Sequence, residues 1–232
     1  MEQFYTGYKH MSYFIENIIF DLDGTLIDSM EDIVICLKKA FNIYGINNIN
    51  INKSDIGPPL IEMIKNIASE LDEEQIKEIV KNFRIYYDNH DYSKTILHNG
   101  VRKLLITLKK LNIKLFLATN KPVLPTNKIM KKLNIDYFSD IITHDIIEGK
   151  KLSKTEMILH LIKKWNMNRD KTIMVGDSEN DIIAAHENSI ISIAVLNGYG
   201  HIDTIDKHKP SYKVDNIKHI LTIINQINQV KE

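Results

Sequence analysis

Short apolar runs alternate with amphipathic segments along most of the chain, and this pattern predicts alternating strands and helices. Six apolar runs are predicted as strands, at residues 18–20, 113–118, 140–143, 172–175, 191–195 and 212–214. Helices are predicted between the later strands, including residues 154–165 and 179–188, and a last helix extends to Ile227. Strands joined by helical crossovers form a parallel sheet with helices on both faces. The pattern therefore predicts an α/β fold with a doubly wound parallel sheet.

A different pattern occupies residues 29–95, between the first strand and the next. Three segments there have apolar residues at helical spacing, at 33–41, 60–67 and 76–87. We expect the side chain of Ser29 to cap the first helix. Because no strand pattern interrupts this stretch, we predict an all-helical segment inserted into the sheet domain. The chain then divides into a core, residues 1–28 and 96–232, and a helical cap, residues 29–95.

Charge and hydropathy remove several classes of partner from consideration. Lys plus Arg and Asp plus Glu number 30 each among 232 residues, and no basic run is interleaved with aromatic residues, so we do not expect a nucleic acid polymer as a partner. No run approaches the roughly 18 apolar residues of a membrane span. The first 16 residues lack the apolar core of a signal peptide, and Met11 is an alternative start to Met1.

Cysteine and histidine usage also restricts the chemistry. Cys36 is the only cysteine, which excludes a disulfide framework and a cysteine zinc site and favours a reducing cytoplasm. The nine histidines show no ligand spacing, so we expect surface residues or hydrogen-bonded core residues rather than zinc ligands. The candidate chemistry therefore lies with acidic side chains.

Two acids follow the first predicted strand. Asp21 and Asp23 are two residues apart, so their side chains leave an extended chain on the same face. Gly24 and Thr25 then mark a sharp turn. Two carboxylates crowded at the end of a buried strand repel each other and raise one pKa, unless a cation holds them together. A hard divalent cation relieves this repulsion, and Mg²⁺ suits a site that also binds phosphate.

The run DLDGT, residues 21–25, resembles the Asp-x-Asp-Gly-Thr signature of the haloacid dehalogenase-like phosphatase superfamily. The resemblance implies a Rossmann-like core in which Asp21 attacks phosphorus and Asp23 acts as general acid and then as general base. Taken alone, the run is also compatible with an ordinary Asp/Gly turn after a strand. Three later motifs bear on this choice.

The second motif, TNKP at residues 119–122, follows the second core strand. The resemblance implies that the Thr119 hydroxyl and the Asn120 backbone bind the transferring phosphoryl group. A Thr-Asn turn before a proline is the alternative interpretation.

The third motif is a lysine, to be chosen among Lys150, Lys151 and Lys154. Ser153 and Glu156 have the spacing of a capping box, which makes Lys154 the first residue of a helix. The amino terminus of a helix is a good place for phosphate, and the resemblance implies one lysine that balances the charge of phosphate and nucleophile. We therefore assign this role to Lys154, with an ordinary exposed lysine as the alternative.

The fourth motif, GDSEND at residues 176–181, follows the strand at 172–175 and resembles the Gly-Asp-x-x-x-Asp motif of the superfamily. The resemblance implies that Asp21, Asp177 and the backbone carbonyl of Asp23 bind Mg²⁺, with Asp181 as a ligand or an orienter of its water shell. The alternative is that Asp181 only caps its helix, together with Ser178. The segment NGYGH, residues 197–201, resembles a glycine-rich loop of the same superfamily and is given no particular role.

Together these motifs resemble the phosphoglycolate phosphatase-like group with a C1-type cap. The function implied is Mg²⁺-dependent hydrolysis of a small-molecule phosphomonoester, such as phosphoglycolate, a sugar phosphate or a nucleotide, through an aspartyl-phosphate. A phosphomutase, a pyrophosphatase and a non-catalytic binding module remain as alternatives. The turn Gly57-Pro58-Pro59 has the position of a substrate-specificity loop, although we favour a plain turn between two helices.

Overall fold

The computed structural model describes residues 14–230, so the candidate starts Met1 and Met11 lie outside the described residues. The elements follow one another in the order β1 (Asn17–Phe20), β2 (Ile27–Asp28), α1 (Met30–Asn42), α2 (Leu60–Ile67), α3 (Glu73–Asp88), β3 (Ile96–Leu97), α4 (Val101–Lys110), β4 (Lys114–Thr119), α5 (Val123–Leu133), β5 (Asp140–Thr143), α6 (Lys154–Trp165), β6 (Thr172–Gly176), α7 (Glu179–Glu187), β7 (Ile191–Val195), α8 (Ile202–Lys207), β8 (Tyr212–Val214) and α9 (Ile220–Val230). Short 3₁₀ turns lie at Lys53–Asp55, Arg169–Lys171 and Ile217–His219.

Six strands form one parallel sheet in the order β5-β4-β1-β6-β7-β8. The order reverses at β1, because β4 pairs with one side of β1 and β6 with the other. Phe20, the last residue of β1, is level with Leu117 and Val175 on these neighbours. The carboxyl ends of three strands therefore meet at the switch point where open α/β sheets bind ligands. The predicted α/β, Rossmann-like fold is confirmed.

The two faces of the sheet are buried by different helices, as the period of two along a strand requires. Ile18 and Phe20 belong to a large core cluster with residues of α4, α9 and the three cap helices. Ile19, between them, belongs to a second cluster with residues of α6 and α7. Both faces are thus dry, which explains why the core strands are almost continuously apolar.

The segment between β2 and β3 is helical throughout its regular elements, as predicted. Helix α3 packs against both α1 and α2, and it begins with a capping box in which Asp72 accepts from the Gln75 N–H. Strands β2 and β3 are antiparallel, with Ile27 opposite Leu97 and Asp28 opposite Ile96. The two chain segments that connect the sheet with the helices at residues 30–88 therefore lie side by side. The division into core and cap at residues 28 and 96 stays a prediction.

Some expectations need correction. The strands β2 and β3 were not predicted because they have only two residues each, and helix α8 was not predicted because only Ile202 and Ile205 are apolar among its six residues. Two histidines are satisfied only in part: His98 and His144 have hydrogen bonds to the backbone, but the buried ring atoms His98 Nε2 and His144 Nδ1 have no partner among residues 14–230. No helix within residues 14–230 is long and apolar enough to cross a membrane.

Candidate active site

Three carboxylates converge at the carboxyl edge of the sheet. Asp21 directly follows β1, Asp177 directly follows β6, and Asp181 lies in the first turn of α7. One carboxylate oxygen from each lies within 4.8 Å of the others, and all three residues are buried. The register of β1 with β6 places Asp21 and Asp177 on neighbouring strands, so residues 156 positions apart in sequence (177 minus 21) share one site.

Lys154 extends into this acidic group from the start of α6. Its Nζ lies 2.5 Å from Asp21 Oδ1 and 3.0 Å from Asp181 Oδ1, and it donates to the Ala118 carbonyl at 2.9 Å. The predicted capping box fixes this position, because Ser153 N–H donates to Glu156 and Glu156 N–H donates to Ser153 Oγ. Lys154 is only 6% exposed, so its positive charge acts in a poorly screened environment.

Burial and mutual repulsion perturb these groups. Desolvation raises the pKa of Asp21 well above its ordinary value, and Asp181 and Asp177 add to the effect although Lys154 opposes it. Burial, with the charge of Asp181, raises the pKa of Asp177 to about 6. Burial alone would lower the pKa of Lys154, but Asp181 and Asp21 outweigh it and raise that pKa.

The acidic group suits a hard divalent cation. Three buried carboxylates face a single ammonium, so the group has an excess of negative charge in a desolvated site. Asp181 Oδ1 is buried and contacts the Lys154 ammonium at 3.0 Å, with no other hydrogen-bond donor to it among the described residues. Buried carboxylate oxygens with few protein donors, in an all-oxygen set, are the kind of ligands that Mg²⁺ binds.

The Asp177 side chain is fixed by Thr25 and by the loop after β7. Thr25 Oγ1 donates to its Oδ1 at 2.7 Å, and the Tyr199 N–H donates to its Oδ2 at 2.6 Å. A Cβ on Gly198 would lie 2.2 Å from Asp177 Cβ, and one on Gly200 would lie 2.1 Å from the Asp177 carbonyl oxygen. The segment at residues 197–201, to which sequence reasoning gave no role, therefore fixes a candidate metal ligand.

The two carboxylate oxygens of Asp181 make different contacts. Its Oδ2 accepts from both the N–H and the hydroxyl of Ser178, as a helix cap does. Its Oδ1 faces Lys154 and the other two acids. Capping and membership of the acidic group therefore use different oxygens of one carboxylate.

Asp23 is bound by a set of residues that sequence reasoning missed. Its Oδ1 accepts from the Ser29 hydroxyl and lies 3.1 Å from Lys121 Nζ. Lys121 is itself buried, donates to the Tyr87 hydroxyl at 2.6 Å and lies 4.5 Å from the centre of the Tyr87 ring. Tyr87 belongs to α3, so Lys121 joins the helical segment to the candidate general acid.

The expected cap by Ser29 is therefore wrong. Ser29 occupies the N-cap position of α1, but its side chain makes no capping bond because the hydroxyl donates to Asp23. The Tyr199 hydroxyl accepts from the N–H groups of Ser29 and Met30 instead and donates to Asp28. Tyr199, which lies 170 residues later than Ser29, thus accepts the hydrogen bonds of the first backbone N–H groups of α1.

Thr119 and Asn120 lie beside the acids at the end of β4. The Lys121 N–H donates to Thr119 Oγ1 at 3.1 Å, which leaves the hydroxyl proton of Thr119 available to an anion. Asn120 lines the same small cavity as Asp21, Lys154 and Asp177. The other two lysines considered do not contact the acids, because Lys150 is paired with exposed Glu156 and Lys151 is exposed.

Two adjoining cavities meet at this site. A small one of about 90 Å³ is lined by the acids, Thr119, Asn120 and Lys154. A larger one of about 660 Å³ lies between the cap helices and the sheet edge. The turn Gly57–Pro58 borders both, so the expectation of a plain connecting turn is incomplete.

Comparison with known proteins agrees with this geometry. The chain is 28% identical over 192 residues to tyrosine-protein kinase PtkA from Mycobacterium tuberculosis, which covers 82% of this chain but 65% of PtkA, so the chain spans less than two thirds of that relative. It is 28% identical over 218 residues to phosphoglycolate phosphatase from Colwellia psychrerythraea, covering 89% of this chain and 95% of that protein. A crystal structure of a Clostridium difficile protein superposes with a TM-score of 0.80 at 33% identity, covering 90% of this chain and 98% of that one. The family model for haloacid dehalogenase-like hydrolases matches residues 18–195, and the chain therefore belongs to the haloacid dehalogenase-like hydrolase family.

Proposed function

We propose that this protein is a Mg²⁺-dependent phosphatase that hydrolyses a small-molecule phosphomonoester through an aspartyl-phosphate on Asp21. One observation carries the proposal: the Asp21, Asp177 and Asp181 carboxylates lie within 4.8 Å of one another, with the Lys154 ammonium among them, at the carboxyl edge of the sheet. A nucleophile, a cation site and a fixed positive charge are the parts that phosphoryl transfer needs.

In the first half-reaction, an Asp21 carboxylate oxygen attacks phosphorus in line with the ester oxygen. The bond from phosphorus to the alcohol oxygen breaks as the bond to Asp21 forms. Protonated Asp23 gives its proton to the departing oxygen, so the alcohol leaves neutral. The Ser29 hydroxyl and Lys121 hold the Asp23 carboxyl group in place for this transfer.

In the second half-reaction, Asp23, now a carboxylate, takes a proton from a water molecule that attacks the same phosphorus. The bond to Asp21 breaks, inorganic phosphate leaves, and both acids return to their starting states. A phosphomutase would instead return the phosphoryl group to an alcohol.

The remaining residues bind and neutralise the phosphoryl group. Lys154 supplies a fixed positive charge, and Thr119 and the Asn120 backbone donate hydrogen bonds to its oxygens. Asp21, Asp177 and the Asp23 backbone carbonyl would hold Mg²⁺, with Asp181 as a ligand or through a water molecule. When bound, the cation would neutralise part of the negative charge on the nucleophile and on the phosphoryl oxygens.

The relatives and the composition support the setting of this reaction. The similarity to phosphoglycolate phosphatase extends over 95% of that protein, which supports a small-molecule substrate. The sole cysteine, Cys36, is a buried free thiol, which is compatible with a reducing cytoplasm.

Phosphate release from a panel of phosphomonoesters and from pyrophosphate, with Mg²⁺ and then with excess chelator, tests the proposal. We expect release that the chelator abolishes and that Asp21→Asn lowers by at least about 10³-fold, since the nucleophile is lost. Asp136→Asn changes an exposed acid outside the site and is the matched control. An Asp21→Asn variant as active as the parent would refute the covalent mechanism, and accumulation of a bisphosphate would indicate a mutase.

A further inference from the structure

The larger cavity has the character of a binding site for an apolar group. Much of its lining comes from the cap helices and the loop before α2, and includes Ile33, Ile56, Met63 and Phe83, all of which are largely buried. Charged side chains of both signs, such as Glu62 and Arg84, also border it. The accessible surface of the wall is mainly apolar, although lysine and arginine residues outnumber the acids in the lining. The cavity therefore offers mainly apolar contact.

This cavity lies next to the phosphate site and shares walls with it. Asp23, Asn120, Lys154 and the turn Gly57–Pro58 line both cavities. A phosphoryl group in the small cavity, beside Asp21, therefore directs its ester oxygen and the attached alcohol towards the large one, past the proposed acid Asp23. The larger cavity is the space for the leaving group.

The size of the cavity sets the size of that group. About 660 Å³ falls within the range of roughly 300 to 1,000 Å³ that is typical of sites for drug-sized ligands. Glycolate has two carbon atoms and would leave most of this space, and most of its apolar wall, without contact. Burying apolar substrate surface there contributes to binding in proportion to the area removed from water.

We propose that the alcohol portion of the substrate is a mainly apolar group, much larger than glycolate and of the size of an extended alkyl chain or an aromatic ring system. The inference rests on the proposed phosphatase function. It differs from the substrate named for the phosphoglycolate phosphatase relative, because it is derived from the side chains that this chain places around the cavity.

A series of n-alkyl phosphates tests the proposal, because ethyl, butyl and hexyl phosphate differ in apolar length but have leaving groups of nearly equal reactivity. Each methylene that enters the cavity raises kcat/KM by up to roughly fourfold. We expect hexyl phosphate to exceed ethyl phosphate by at least about tenfold in kcat/KM, and phosphoglycolate to be a poorer substrate than hexyl phosphate.

Two matched variants tie this dependence to the cavity. Leu60→Glu places a charge on a half-buried lining residue of α2 and should lower the hexyl-to-ethyl ratio by about tenfold or more, towards one. Ile85→Glu makes the same change on an exposed residue of α3 that does not line the cavity and should leave the ratio unchanged. Circular dichroism establishes that each variant is folded.

The outcomes separate this inference from the function on which it rests. If ethyl phosphate or phosphoglycolate is hydrolysed at least as well as hexyl phosphate, the inference is wrong and the phosphatase function stands. If Leu60→Glu keeps the full chain-length dependence, the cavity is not the leaving-group site. If no compound in the wider panel releases phosphate with Mg²⁺, the proposed function itself fails.

Discussion

Two buried lysines lie at the candidate site and contact different acids. Lys154 contacts Asp21 and Asp181, whereas Lys121 contacts Asp23 and the Tyr87 hydroxyl. Because Asp23 is the proposed proton donor, Lys121 acts through it and is a positioning residue. Its ammonium restricts the rotation of the Asp23 carboxyl group, which also accepts from Ser29.

Replacing Lys121 with Met keeps the length of the side chain and removes the ion pair with Asp23. We expect kcat to fall by roughly 10²-fold, the lower end of what general acid–base catalysis contributes, with little change in KM. Tyr87→Phe keeps the ring that lies 4.5 Å from the ammonium and loses only the hydroxyl acceptor, so its effect should be much smaller. Steady-state kinetics across a range of pH measures both.

Lys128→Met is the control for this pair, because Lys128 is an exposed lysine on α5 that bonds the Asp88 carbonyl away from the acids. It should leave kcat unchanged. A Lys121→Met enzyme with the kcat and pH profile of the parent would show that Asp23 needs no such support.

Sequence reasoning found Lys154 but not Lys121, for a physical reason. Lys154 is marked by a local pattern, the capping box of Ser153 and Glu156. Lys121 follows Thr119-Asn120 in the motif used, yet its burial depends on Tyr87, which lies 34 residues earlier in the chain. Local spacing cannot encode such a contact. The catalytic roles of the residues found by motif stay predictions.

At the scale of elements, the loop after β7 holds both the acidic group and the start of α1. Its backbone N–H at Tyr199 binds Asp177, and its Tyr199 hydroxyl binds the first N–H groups of α1. Gly198 and Gly200 pack against Asp177 with no room for a side chain. A short loop therefore sets the distance between a candidate metal ligand and the helical segment.

Gly200→Ala should destabilise the protein and weaken its response to Mg²⁺. The added Cβ would lie 2.1 Å from the Asp177 carbonyl oxygen, and backbone atoms cannot move aside cheaply. We expect a loss of about 2 kcal/mol or more in the free energy of unfolding, as overpacking produces. Chemical denaturation with and without Mg²⁺ measures both effects.

Gly149→Ala is the comparison for this loop variant. Gly149 has φ of +75° and nothing within 4 Å of an added Cβ, so only backbone strain of about 1 kcal/mol should result. Equal losses for the two variants, or an unchanged Mg²⁺ response in Gly200→Ala, would contradict the role given to the loop.

The elements themselves were largely predictable. The strands β5, β7 and β8 and the helix α6 have the bounds expected from the sequence, because their apolar periods are clear. Strands β2 and β3 have two residues each and are defined only by their pairing with one another. The role of the glycines after β7 was also hidden, since a glycine in sequence does not reveal which group approaches it.

At the scale of the whole molecule, the three buried carboxylates carry more negative charge than the Lys154 ammonium offsets, and this excess opposes folding. Mg²⁺ that binds only the folded protein should therefore raise the melting temperature. At a Mg²⁺ concentration about one hundred times Kd, the free energy of unfolding should increase by about 2.7 kcal/mol. Asp177→Asn should abolish most of this gain. Differential scanning calorimetry with Mg²⁺ and with chelator measures it.

A second group of potential ligands provides the control. Asp32, His90 and Asp91 also lie within 4.8 Å of one another, but Asp91 is exposed and Asp32 already accepts from His90 and Thr95. Asp91→Asn should keep the full Mg²⁺ response. Loss of the response in Asp91→Asn, or its persistence in Asp177→Asn, would place the cation elsewhere.

The same experiment depends on pH in a defined direction. Burial and Asp181 raise the pKa of Asp177 from its ordinary value of 3.8 to about 6. The folded protein therefore binds this proton more tightly than the unfolded chain, and without metal the contribution of Asp177 to the free energy of unfolding falls as the pH rises from 3.8 through 6. The gain from Mg²⁺ should be larger at about pH 7.5 than at about pH 5, because protons compete for the same carboxylate.

The substrate was the part least accessible to sequence reasoning. The motifs predicted which residues meet at the carboxyl edge of the sheet, because they lie at the ends of strands whose pairing follows from the fold. The larger cavity is bounded by residues of α1, α2, α3, α6 and α7 and of several loops, and its volume depends on how far the first three of these helices stand from the sheet. The distance between these helices and the sheet cannot be read from any periodicity in the sequence.

The turn Gly57–Pro58 has a consequence for how this enzyme can change. These two residues form part of the wall of both cavities. A mutation there therefore changes the surroundings of the substrate's phosphorus atom and of its carbon skeleton at the same time. Altered substrate preference reached through this turn would therefore come with an altered turnover rate, whereas replacements farther along α2 and α3 leave the two properties free to vary separately.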